Sequence, residues 1–152
     1  MADFFANEVP GGGELNNQEL IEILRERDTH VLEVKSGRLT PEFISECSKE
    51  VKFIVANFAM LSEESKTILE NDREYIIYEH DHKYVRSRNP ADYNNFIAPK
   101  SEIINFNFYK NAKAVLCQSR FHADIVKSNL KLDNIISLGG NLWSEDSLET
   151  ML

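Results

Sequence analysis

Five short apolar runs stand out along the chain: residues 30–35 (HVLEVK), 51–57 (VKFIVAN), 74–78 (EYIIY), 114–118 (AVLCQ) and 134–138 (NIISL). They are rich in β-branched and aromatic residues, and most are near-continuous rather than alternating. That is the pattern of strands covered on both faces in a parallel sheet. Phe4-Phe5 reads as the tail of a further, first strand, with fewer residues ahead of it than the roughly five of an ordinary strand. Helical signals fill the gaps. Asn16-Asn17-Gln18-Glu19 offers a capping residue with a glutamate three positions on, followed by an apolar stripe of Leu20, Ile21 and Leu24. Thr40 stands before Pro41, Ser62 and Ser119 are placed to cap helices over 63–71 and 120–130, and 101–111 is another helix candidate.

Strand and helix alternate throughout. The pattern predicts a single α/β domain over residues 1–141, a three-layer sandwich on a doubly wound, mostly parallel, Rossmann-like sheet with right-handed crossovers. Residues 142–152 read as a tail, the start of an inter-domain linker. With strand order 3-2-1-4-5-6, ligands bind beyond the carboxyl ends of the strands where the order reverses, between the loops after the first and fourth strands.

Composition narrows the function classes. The 152 residues carry 17 basic and 25 acidic side chains, a net charge of −8, which argues against non-specific nucleic-acid binding. No apolar run is long enough to span a bilayer, and the acid at Asp3 without a basic stretch is unlike a signal peptide. Cys47 and Cys117 are far apart and share no motif. They read as reduced thiols, and the expected compartment is the cytoplasm.

The two loops flanking the expected crevice are the most unusual in the chain. The first, residues 7–14, contains Gly11-Gly12-Gly13 followed by Glu14. Three glycines permit positive φ and close approach of backbone amides to a ligand, and the helix behind them favours an anion or a sugar hydroxyl. No Gly-Lys-Ser/Thr follows, so it is not a Walker loop, and the dinucleotide fingerprint is incomplete. A ligand-free turn is the alternative. The second loop, residues 79–88, holds Glu79, His80, Asp81, His82, Lys83, Tyr84, Arg86 and Arg88. His80 suits hydrogen bonding or proton transfer near neutral pH. Arg86 and Arg88 suit phosphate oxygens. His80 and His82 point the same way if the segment is extended, but a catalytic zinc wants a third ligand. Asp81 would face the other side and His122 has no evident route to the pair, so no metal or cofactor is expected. Asn57 ends its strand facing the same crevice, and Ser119 reads first as a helix cap.

Four places resemble the N-terminal, acceptor-side domain of GT-B glycosyltransferases, the retaining, family 4-like type related to glycogen and sucrose-phosphate synthases. Residues 9–15 (VPGGGEL) resemble its "GG-acid" loop, and Tyr78-Glu79-His80-Asp81 its His-Asp after the fourth strand. Residues 115–119 (VLCQS) resemble its strand ending in serine, and 135–141 its closing strand and turn. The resemblance implies transfer of a sugar from a nucleotide-sugar to an acceptor hydroxyl without an obligatory metal. Gly12 and Gly13 would then lie near donor phosphates, Glu14 near the acceptor, and His80 against the donor sugar. It further implies a second, donor-binding domain or subunit, with a homo-oligomer as the other arrangement. A non-catalytic module binding a sugar, nucleotide or protein is the second reading, and a hydrolase using the histidine loop the third.

Overall fold

The computed structural model describes residues 1–151. Four strands, β1 (Phe53–Val55), β2 (Tyr75–Glu79), β3 (Ala114–Cys117) and β4 (Ile135–Ser137), form an all-parallel sheet in the order β1-β2-β3-β4. Each lies within or against one of the apolar runs. Six helices accompany them: α1 (Gly12–Glu26), α2 (Pro41–Glu46), α3 (Glu63–Asp72), α4 (Phe106–Asn111), α5 (Arg120–Leu130) and α6 (Glu145–Met151). The chain is an α/β domain of Rossmann-like type. Thr40, Ser62 and Ser119 cap α2, α3 and α5, each side-chain oxygen accepting from the amide three residues on.

Alternation along the strands divides the core. Phe53, Val55, Tyr75, Ile77, Val115, Cys117 and Ile135 turn to one face, where α2 to α5 seal them with Ile44, Leu69, Phe108, Val126 and Leu130. Ile54, Ala56, Tyr78 and Leu116 turn to the other, where Ala2, Phe5 and Leu20 of α1 join them. Helices on both faces make the sheet doubly wound, but the second layer is one helix thick. Ile136, on that face of β4, is half exposed.

The beginning of the chain departs from expectation. Phe4-Phe5 and residues 30–35 are not strands; they contribute one parallel bridge, Ala2 to Lys35. The Ala56 amide donates to the Met1 carbonyl, so this fragment lies outside β1, between it and Lys35. A two-residue partner cannot extend a ladder, and Leu32 stays exposed. The strands thus run β1-β2-β3-β4, with the Ala2 fragment beside β1 and Lys35 beyond it, in place of the expected 3-2-1-4-5-6. What anchors the fragment is Asp3, which is buried. Its carboxylate accepts from the amides of Ala59 (2.9 Å) and Met60 (3.0 Å) and from the Ser36 hydroxyl.

Candidate functional site

The glycine segment is helical where a loop was expected. α1 begins at Gly12, four residues before the Asn16 cap that the sequence suggests. Gly11 is its N-cap with φ −87°, and no side chain caps the first turn. Gly139 alone among the glycines has positive φ. A Cβ on Gly12 would meet nothing within 4 Å, and one on Gly13 would make ordinary contact with the His80 ring at 3.5 Å. At Gly11 it would meet only the movable Glu14 carboxylate. Nothing in the fold therefore demands glycine at 12 or 13, although each costs about 1 kcal/mol in a helix relative to alanine. The amides of Gly12, Gly13 and Glu14 precede the first intrahelical bond and have no partner among the described residues, leaving three donors at the positive end of α1.

Beside this turn stands His80, just past the carboxyl end of β2. Its ring packs on Tyr78 with centroids 4.4 Å apart, and Nε2 meets the Asn17 Oδ1 at 2.8 Å. With a carboxamide oxygen facing it, Nε2 carries the proton and donates, so the buried, unpartnered Nδ1 presents a lone pair. Burial pushes the pKa down to about 4 against the opposing pull of Glu79, so the ring is neutral at neutral pH. It is a hydrogen-bonding group there, not a cation. Asn16, read as the cap from the sequence, is instead buried inside the helix together with Asn17. Asn16 Oδ1 accepts from the Tyr78 hydroxyl (3.3 Å) and the Leu142 amide (2.8 Å). The only sequence signal for these anchors is two adjacent asparagines, poor helix formers, ahead of an apolar stripe.

The tail supplies a second wall. Leu142, Trp143, Ser144 and Ser147 close a cleft of about 470 Å³ against Gly12, Gly13, His80 and Gln118. Four residues of the 142–151 stretch thus line the site. The cleft offers hydroxyl and amide partners and the half-exposed Trp143 indole. Its rim is acidic: Glu19 and Glu22 line it, and burial and the charges of Glu22, Glu26 and Glu145 raise the pKa of Glu19. No lysine or arginine lines it. Gly11 and Glu14 are not among its lining residues, Glu14 folding back over Gly11.

The other expected site residues lie elsewhere. His82 has φ +54°, so the segment is not extended and the two histidines diverge. His82 turns to the opposite side, where Nδ1 meets the Tyr84 hydroxyl at 3.0 Å and its ring packs on His122, centroids 4.4 Å apart. His122 therefore does reach the histidine loop, a contact that sequence distance conceals. Among the described residues no three His, Cys, Asp or Glu side chains converge as a metal site. Arg86 and Arg88 line a separate cleft, and Asp81 pairs there with Lys83 and Arg88. Asn57 borders neither cleft, its Oδ1 buried without a partner. Ser119 is the α5 cap, while its neighbour Gln118 faces the first cleft.

Among the described residues no helix is long and apolar enough to cross a membrane, and both cysteines are free. Comparison with protein-family models, with curated proteins and with solved structures yields no match.

Proposed function

We propose that this chain is the acceptor-side half of a glycosyltransferase, its first cleft receiving a sugar of a nucleotide-sugar reaction and a donor-binding domain completing the enzyme. The observation that carries this reading is the pairing of two glycines with His80. Gly12 and Gly13 weaken α1, the fold gives no steric reason for them, and they open unpartnered amides beside a neutral imidazole in one cleft. Such a wall suits close backbone approach to a hydroxylated or phosphorylated ligand. Trp143 offers a flat apolar surface to a sugar ring, and Gln118, Asn141, Ser144 and Ser147 offer hydroxyl partners.

Saturation-transfer NMR of the intact chain against a panel of nucleotide-sugars and free hexoses tests the reading. We expect binding, weakened about tenfold or more by His80→Ala with the circular dichroism spectrum unchanged. Transfer assayed with an added donor-binding domain should disappear in the same variant. No binding across the panel, or binding indifferent to His80→Ala, would remove the cleft from consideration. A non-catalytic sugar-binding module is favoured by the acidic rim, which suits hydroxyls better than a pyrophosphate. Binding without transfer under any complementation would select it.

A further inference from the structure

α1 carries two adjacent asparagines in its interior, where both are poor helix formers and both are buried. A buried carboxamide destabilises a fold unless it is hydrogen-bonded. Asn16 is bonded into the fold, joining Gly12, Tyr78 and Leu142. Asn17 is not. Among the described residues its side chain has one partner, His80 Nε2 at 2.8 Å. Gly13 stands one turn ahead of Asn17, so the two share a face of α1. Together they seat the ring: Gly13 leaves room beside it, and Asn17 supplies the acceptor.

No charged neighbour hydrogen-bonds to this ring. α1 brings Gly13 and Asn17 to it, and neither titrates. Tyr78 packs on it as the phenol, its hydroxyl donating to Asn16. Glu79 gives its carboxylate to the Tyr109 hydroxyl and the Asp81 amide, and Asp81 pairs with Lys83 and Arg88. From α5 comes His122, itself lowered in pKa by burial. Burial outweighs Glu79 and Asp81, which favour a charged ring, while Lys83 and His122 oppose it, and the pKa falls to about 4. A carboxylate in place of the Asn17 amide would reverse the balance, because an acid in hydrogen-bond contact favours the imidazolium.

We propose that Asn17 is a positioning residue for His80, fixing the proton on Nε2 and holding the ring uncharged, so that the first cleft selects sugars by hydroxyl and rejects carboxylates. With Nε2 engaged, the ring has the buried, unpartnered Nδ1 lone pair left to offer. A hydroxyl can donate to that acceptor, whereas a carboxylate, an acceptor only, is repelled by it. Glu19 and Glu22 at the rim act in the same sense. The substrate class is an uncharged sugar, with a hydroxyl where a uronic acid bears its carboxylate. For its ligand this rests on the reading of the first cleft as a sugar site; the state of the ring does not.

Nitrogen-15 NMR of the intact chain without ligand reads the ring, with His80→Gln assigning the signal. We expect a protonated Nε2, a lone-pair Nδ1 and titration near pH 4. Asn17→Asp should raise that midpoint to about 6.5 or above, while His82, on the opposite side, titrates unchanged. Asn17→Leu, which brings no charge into the core, should leave the midpoint low and spread the proton over both nitrogens. It decides the matter should circular dichroism show Asn17→Asp unfolded. A wild-type proton on Nδ1, a midpoint unmoved by Asn17→Asp, or a tautomer unmoved by Asn17→Leu would each overturn the assignment. Calorimetry with glucose and glucuronate at pH 7 then reads selection. The wild type should prefer glucose at least tenfold, and Asn17→Asp should narrow that preference about tenfold. A preference that stays the same while the His80 midpoint moves would overturn the selection. Binding of neither sugar would overturn the sugar reading of the cleft and the selection with it, and the ligand-free spectra would still decide what Asn17 does to the ring.

Discussion

The two sides of the sheet are built from neighbouring residues of the same strands, yet they differ in cover and in chemistry. On one side α2 to α5 bury a large aromatic and aliphatic core, and the cleft at its edge is cationic. On the other, α1 covers Tyr78, Ala56 and Ala2, and the cleft is neutral and aromatic with an acidic rim. The strand end divides them: His80 serves one, Asp81 the other. The side that holds buried charge is the well-packed one, where fixed neighbours keep ammonium groups and carboxylates in register. The side that exposes free amides is the thin one, where a ligand has room to complete the wall.

The largest expected contrast is in core truncation. Ile77→Ala, on the sealed side, should lower unfolding free energy by about 3–4 kcal/mol, and Leu116→Ala, on the thin side, by about 1 kcal/mol. Urea denaturation measures both, and equal losses would show that the two faces share the load. Acid comes next. Burial holds His80 and His82, one on each side, down to about 4 from the ordinary value of 6.5. Between those values the unfolded chain takes up protons that the folded chain refuses. Stability is therefore complete above pH 6.5, falls by a few kcal/mol towards pH 4, and loses nothing more from these groups below that. His80→Gln and His82→Gln should each flatten part of the pH slope in denaturation series. A slope unaffected by either would mean that burial on neither side excludes the proton. The smallest effect is a gain: Gly12→Ala and Gly13→Ala should each stabilise the chain by up to about 1 kcal/mol while weakening sugar binding in the first cleft. Stabilisation without loss of binding would leave the thin side with no reason for its glycines.

How much of this was legible beforehand follows from the range of the forces involved. The four strands and the Thr40, Ser62 and Ser119 caps could be read because apolar runs and capping hydroxyls act within a few residues. The position of His80 at a strand end followed from the same pattern. The start of α1 did not, because glycine runs favour loops locally and only tertiary contact draws this one into a helix. His122 against His82, and Asn16 against Leu142, join residues 40 and 126 apart, and no periodicity encodes them. The division of His80 from Arg86 and Arg88 rests on a turn through left-handed φ at His82, which local sequence does not announce. Strand order was misread for the same reason: the Ala2 bridge and the Asp3 clamp are long-range.

That clamp has a kinetic consequence. From β1 to β4 each strand pairs with the next one along the chain, so the sheet grows by successive short closures. The fragment around Ala2 joins β1 across more than fifty residues, and Asp3 must find Ala59 and Met60 before α1 has a fixed place to lie. We expect residues 39–137, which hold the main core, to condense as one unit, with the amino-terminal segment docking after it. In amide exchange, α1 would open as a separate cooperative unit at lower free energy than β2 and β3. The glycine wall of the first cleft is carried on that amino-terminal segment, so the wall would open with it.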